Sequence, residues 1–329
     1  MPRRRPGKRL LKALLPIVLL LVLGVGGGVL WLVYAAAHPP THPPLVTPEQ
    51  YAQMSSRALK ATEETWANAD GTRARGWLLR GAEGSPAVVL LHAYGTDRSW
   101  LFNLGVKINE AANFTILCPD LRGHGQAPLV ATTTFGAREA GDLASALAFL
   151  RSLKGQQQRP LVGGELGVYG VELGAFAALA GAAVPGEGVS VSALVLDSVP
   201  ARPDDLLRTA IRARTGQDNP PLNLLTRAGA RLYYLGGFEN RPACDSAAAL
   251  AKPRVLLLSG PGAGELREST RALARCFPAQ AAVETRADLP VTGLNVSSAT
   301  GELGEGYDRN VIEFFQQALR PAGAQNTPR

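Results

Sequence analysis

The sequence predicts an α/β protein with a mainly parallel, doubly wound sheet, preceded by one transmembrane helix. Short apolar runs such as Pro86–Leu91 (PAVVLL) and Phe114–Cys118 (FTILC) have the pattern of strands buried on both faces. Segments with apolar residues at three-to-four spacing separate them, which makes βαβ units. Residues 13–37 carry no charge over a length sufficient to cross a bilayer. With 46% hydrophobic and 19% charged residues, the chain is too apolar for intrinsic disorder. Its formal charge of +7 is concentrated at one end. Six of the 34 basic residues (Arg3, Arg4, Arg5, Lys8, Arg9, Lys12) precede the first acidic residue, Glu49, which leaves 28 basic against 27 acidic residues. The body of the chain therefore has no electrostatic footprint for nucleic acid.

In chain order, residues 1–12 form a basic tip and residues 13–37 (ALLPIVLLLVLGVGGGVLWLVYAAA) the membrane anchor. Basic residues on its N-terminal side only place the N-terminus in the cytoplasm and the rest outside it, as in a bacterial cell membrane. Trp31 and Tyr34 suit the aromatic belt at the far interface. A cleaved signal peptide is the rival, since Ala35–Ala37 offers an A-x-A site, but the apolar run is far longer than the ~7–15 residues usual for one. Residues 38–60 are a Pro-rich spacer and lead-in, five prolines between His38 and Pro48 favouring extended backbone. A domain over residues 61–320 and a flexible tail over 321–329 complete the chain.

Within the domain, Asp70-Gly71 between a Trp66-containing stretch and RARGWLLRG predicts a hairpin. Strands follow at 86–91, 114–118, 165–169, 192–196 and 254–259, with helices over 98–112, 136–153 and 307–319. In the second of these, Leu143, Leu147, Leu150 and Leu153 recur on one face. Residues 201–252 interrupt the alternation with Arg-rich amphipathic pieces, expected as a small helical cap inserted over the sheet's C-terminal edge. Cys118 reads as a buried thiol. Cys244 and Cys276 could pair in an oxidising compartment, though two cysteines alone give no framework. Asn113 and Asn295 begin glycosylation sequons, the first running into a core strand.

Four motifs in succession resemble the α/β-hydrolase family, particularly its membrane-anchored bacterial members related to serine aminopeptidases and esterases. LLHAYG (Leu90–Gly95) is similar to the family's strand and oxyanion turn, and PDLRGHGQA (Pro119–Ala127) to its Asp-x-Arg-Gly-His-Gly loop. TFGAREAGDLASALAFL resembles the next helix, and VYGVELGAFAALA (Val168–Ala180) the strand, nucleophile elbow and helix. The resemblance covers most of residues 61–320 and implies an α/β-hydrolase fold with a pocket near His92, Tyr94, Leu173, Arg122 and His124.

The catalytic positions depart from that pattern. The family's G-x-S-x-G elbow lifts a serine above the sheet; here the five residues are Gly170, Val171, Glu172, Leu173 and Gly174. A carboxylate cannot take the serine's part in acyl transfer. All four histidines (His38, His42, His92, His124) precede the elbow, whereas the family's order is nucleophile, acid, histidine. His92 and His124 match histidines that are usually structural. Where the family shows its acid, the chain has Gly260-Pro261-Gly262-Ala263, with Glu265 two residues on. Asp197 resembles a structurally acidic position.

These departures imply a pseudo-hydrolase that acts in small-ligand binding or as an assembly partner at the membrane, its protein partners unnamed by the sequence. Glu172 is the candidate recognition charge near backbone donors at Tyr94 and Leu173, or else a buried carboxylate paired with Arg98 or Arg122. The competing class is an ester or amide hydrolase with a non-standard site of Glu172, His92 and His124. A carboxylate nucleophile, as in the dehalogenases and epoxide hydrolases of this fold, lacks the histidine that activates water. Nothing points to a cofactor or a metal. GGELG (Gly163–Gly167) lacks dinucleotide-binding spacing, and His38 and His42 lie in extended backbone.

Overall fold

The computed structural model of the protein describes residues 6–54, 61–155, 158–184, 190–239, 241–250, 252–296 and 301–319. The tip's residues 1–5, much of the lead-in (55–60) and the expected tail (321–329) lie outside the described residues. Helix α1 (Pro6–Ala37) and short α2 (Pro48–Met54) precede a hairpin of β1 (Ala61–Ala67) and β2 (Arg73–Leu79). Then come β3 (Ser85–Leu91), α3 (Ser99–Ala112), β4 (Thr115–Pro119), α4 (Glu139–Ser152), β5 (Val162–Val171), α5 (Leu173–Ala182) and β6 (Ala193–Asp197). Three helices follow, α6 (Pro203–Thr215), α7 (Pro220–Tyr233) and α8 (Ala243–Ala249), and the chain continues through β7 (Arg254–Leu258), α9 (Leu266–Leu273), β8 (Ala282–Arg286) and α10 (Glu302–Leu319).

The eight strands form one sheet in the order β1-β2-β4-β3-β5-β6-β7-β8. β1, β2 and β4 pair antiparallel, and every pair from β4 through β3 to β8 is parallel. β3, β4, β6 and β7 are apolar on both faces because helices cover both. Val88, Leu90, Ile116 and Cys118 enter one core with Phe102 and Ile108 of α3 and Phe315 of α10. On the opposite face, α5 (LGAFAALAGA) is apolar all round and nearly wholly buried. The sequence does not reveal β8: its AVETR is largely exposed and carries no apolar run.

The chain divides into two compact units, Met1–Ala37 with Leu207–Glu239, and His38–Leu206 with Asn240–Arg329. Three expected boundaries change. Helix α1 starts at Pro6, so the backbone of most of the basic tip is already helical. The expected cap of 201–252 is split: α7 and most of α6 group with α1, while α8 packs against α5 and α9 in the unit that holds the sheet. The spacer is also shorter than expected. From Leu45 the chain is docked on α3, with Leu45 N–H donating to Ser99 Oγ (2.8 Å) and the Tyr51 ring meeting Phe102 edge-to-face at 5.7 Å. Cys244 and Cys276 form a disulfide, and Cys118 is a buried free thiol.

Candidate functional site

The parallel strand β5 ends at Val171, and α5 begins two residues later. Between them Glu172 adopts φ 50°, ψ −106°, a conformation that side chains rarely tolerate. Close packing enforces it. A Cβ on Gly170 would stand 2.4 Å from Gly174 O, and one on Gly174 only 2.2 Å from Leu91 O. Both glycines are thus required for strand and helix to meet at this angle. The backbone adds two ties: Glu172 N–H donates to Asp197 O (3.0 Å), and Phe176 N–H to Glu172 O (2.9 Å). The sharp turn is fully built around a carboxylate.

That carboxylate folds back onto the turn after β3. Tyr94 N–H donates to Glu172 Oε2 at 3.0 Å, while Oε1 has no hydrogen-bond partner among the described residues. The residue is 8% exposed. Burial raises its pKa to about 7, and the Tyr94 hydrogen bond offsets only part of that rise. Leu173, fully buried at the first position of α5, has a backbone N–H with no acceptor inside the helix. The Tyr94 ring is held between Phe135, stacked at 5.9 Å, and His124, edge-on at 5.5 Å. Glu139 fixes the Phe135 loop by accepting from the Thr133 and Thr134 hydroxyls and from the Thr134 and Gly136 N–H groups.

The two histidines are beside this turn and are otherwise engaged. His92 Nδ1–H donates to Ala93 O (2.8 Å), and Nε2 accepts from Leu121 N–H (3.0 Å). Both ring nitrogens are used, and complete burial lowers the pKa to about 4. His124 Nδ1–H donates to Arg122 O (2.9 Å), leaving Nε2 buried without a partner. Burial, reinforced by the adjacent His92, lowers its pKa to about 3. A cavity of about 30 Å³ runs past His124, lined also by Trp66, Asn68 and Asp120 but not by Glu172. Such a volume admits a water or two.

Neither expected arginine pairs with Glu172. Arg98 reaches Glu63 at 2.7 Å and Asp120 at 3.6 Å, with its guanidinium 4.4 Å from the Trp77 ring centre. Arg122 engages Asp142 and Asp70, tying the loop after β4 to α4 and to the β1–β2 turn. Asp120 completes the clamp, accepting from Arg98 N–H (3.2 Å) and Arg75 Nε (3.1 Å). The PDLRGHG segment is therefore a structural knot. Its two charges are both taken up by residues outside the segment, Asp120 by Arg75 and Arg98 and Arg122 by Asp70 and Asp142, which leaves neither Arg98 nor Arg122 for the elbow.

Sequence reasoning missed the polar cluster behind the turn. Asp197, buried at the end of β6, accepts from Tyr307 Oη (2.5 Å), Gly293 N–H (2.7 Å) and Ser198 Oγ (2.7 Å), and Tyr307 is in turn 2.7 Å from Tyr169 Oη. Burial raises the Asp197 pKa to about 6 against these three donors. The segment after β8 where the resemblance implies a histidine, about Val291 to Tyr307, contains none, and Gly293 lies near its start. A Cβ there would lie 2.4 Å from Val171 Cγ2 and 2.6 Å from Tyr169 Oη. Residues 297–300 of that segment lie outside the described residues. Where the resemblance implies an acid, Pro261–Ala263 form a single helical turn, and Glu265 stands just ahead of α9.

A strained residue at a strand-to-helix turn, facing a backbone donor after an adjacent parallel strand, is the architecture of an α/β-hydrolase site. A model of the α/β-hydrolase family matches residues 88–327, and the chain belongs to that family. Solved structures agree on the fold. An esterase of Pyrococcus furiosus is 18% identical at a TM-score of 0.61, over 86% of this chain and 98% of that one. An α/β-hydrolase of a Penicillium species is 15% identical at 0.57, over 79% and 99%. A 2,6-dihydroxy-pseudo-oxynicotine hydrolase is 17% identical at 0.57, over 85% and 73%. No curated protein matches the chain.

Proposed function

We propose that the chain is a membrane-anchored α/β-hydrolase-fold protein that binds a small ligand at Glu172 and does not hydrolyse esters by a serine triad. One observation carries the reading. The Tyr94 N–H, which in this architecture faces a developing oxyanion, is already bonded to Glu172 Oε2 at 3.0 Å. A carboxyl oxygen built into that position competes with any substrate carbonyl for the donor. The histidines support the same view, since neither hydrogen-bonds Glu172 and both are held neutral by burial. The open oxygen, Oε1, suits a hydrogen-bond donor, so the ligand class is a small amine or hydroxylated molecule.

The anchor is α1. Leu14–Ala37 is 24 residues long with mean hydropathy 2.5, and its stem is exposed in the fold. Retention rather than cleavage is supported at its C-terminal end, where Ala35, Ala36 and Ala37 are buried and Val33 is fully enclosed. The Cys244–Cys276 disulfide fits an oxidising, extracytoplasmic location for the sheet domain.

The test is hydrolysis of short- and medium-chain aryl esters by the full-length protein beside Glu172→Ala. The expected result is no turnover above the variant's background. Turnover that vanishes in Glu172→Ala would make Glu172 catalytic and replace the binding reading with the hydrolase one. Thermal shift with a panel of small amines and polyols then reads binding directly, with Glu172→Ala expected to lose the response.

A further inference from the structure

The first unit joins two segments far apart in sequence. Helix α7 lies against the C-terminal third of α1, and the contact is made by small residues. A Cβ on Gly229 would meet Val29 Cγ1 at 2.6 Å, and Ala230 beside it is fully buried. The rings of Tyr34 and Tyr233 meet edge-to-face at 6.4 Å. Arg214, from the end of α6, donates to Ala35 O at 3.1 Å, placing a cation on the negative end of the α1 dipole. α7 is thus fastened to α1 between Val29 and Ala35.

The membrane length fixes where that is. Starting from Leu14, a bilayer core of about 30 Å takes about 20 residues of helix, which ends it near Val33. Trp31 and Tyr34, 59% and 51% exposed, mark the same level as the aromatic boundary. The outward face of α7 is unusual for a helix in water. Leu224 (68%), Leu225 (43%), Leu232 (62%) and Leu235 (90%) are exposed. At 100° per residue the three leucines within the helix, Leu224, Leu225 and Leu232, form one stripe turned away from the buried Thr226, Gly229 and Ala230, with Arg227 and Arg231 along one edge of it; Leu235 follows just past the helix end. Between Leu207 and Glu239 there are five arginines and two acidic residues.

We propose that α7 is a second membrane contact: it lies in the outer interface beside α1, its leucine stripe in the lipid and Arg227 and Arg231 at anionic headgroups. An apolar stripe bordered by arginines is the pattern of an interfacial helix. Its attachment to α1 at the hydrocarbon boundary delivers it to that depth. The inference rests on α1 being a retained membrane span.

The test uses the full-length chain carrying one introduced cysteine and an environment-sensitive thiol dye, reconstituted in vesicles of phosphatidylcholine and phosphatidylglycerol. Cys118 is buried and Cys244 and Cys276 are bonded, so the new thiol takes the label. Leu225→Cys and Leu232→Cys replace exposed side chains and leave the packing intact. The expected result is a blue-shifted dye at both positions, quenched by acyl-brominated lipid, while Thr285→Cys on exposed β8 stays aqueous. Leu21→Cys reads the anchor independently. Quenching at Leu21 with water-exposed dyes on α7 overturns the proposal and leaves the anchor standing; loss of quenching at Leu21 too removes both. A blue-shifted α7 dye that brominated lipid does not quench shows a protein covering the stripe, and this also overturns it.

Discussion

Glu172 combines two unfavourable features, a strained backbone and a buried carboxyl with few partners. Its pKa of about 7 stands above the ordinary 4.5 of a solvated glutamate. The folded state therefore keeps the proton when the unfolded chain has lost it, and the stability this group allows at low pH falls as pH rises toward 7. A shift of this size corresponds to about 3 kcal/mol. Glu172→Gln should accordingly be more stable than the native protein at pH 8 by up to about that amount, with the two unfolding curves converging near pH 4. Equal differences at both pH values would show that the carboxyl is solvated in the fold. Gly174→Ala is expected to cost about 3 kcal/mol or more, because its Cβ meets backbone carbonyl that no rotamer change can move; a denaturant melt measures it. The identity of the elbow residue was legible in the sequence. What it touches was not: Tyr94 is 78 positions away, and Asp197 gathers Gly293 and Tyr307 from 96 and 110 positions away. No local pattern encodes such meetings.

Among the elements, legibility followed burial on two faces. β3, β4, β6 and β7 are continuous apolar runs, and the sequence shows each within about a residue or two. β8 is an exposed edge whose AVETR lacks the signal, and its register comes from β7. The glycine-rich β5 reads as only half its length: Gly163 and Gly164 at its start are not fully buried, and its far end, Gly170 and Val171, reads as part of the elbow motif. The disulfide closes a separation of 32 residues from the start of α8 to just past α9. Constraining a loop of that size stabilises by about 3–4 kcal/mol in the chain-entropy account. Cys276→Ser should lower the denaturation midpoint correspondingly and raise the m-value, since the unfolded chain freed of the cross-link exposes more surface, and wild-type protein under reductant should match it. An unchanged midpoint would mean that the unfolded chain gains nothing from losing the bond.

For the whole molecule, the α/β class with a mainly parallel sheet follows from alternation of buried strands with helices, whereas the order of the strands in that sheet is seen only in the structure. The division into units did not follow. Residues 207–239 read as an insertion because they interrupt the alternation, but their partner is the first helix, with Arg214 reaching Ala35 across 179 positions. At this scale the expected behaviour is that of an integral membrane protein. Alkaline and high-salt washes should leave the chain in the membrane fraction, and a C-terminal reporter should be active only in the oxidising compartment. Release by carbonate would remove the anchor reading.

The glycine at 293 bears on substitution as well as on packing. Its N–H is bonded to Asp197, and no side chain fits between it and Val171. No side chain can enter at 293 by one substitution, since Val171 or Tyr169 would have to shrink first. Each of those shrinking steps opens the core and costs stability. Small glycine and large valine are thus tied to each other, and neither is free to change alone.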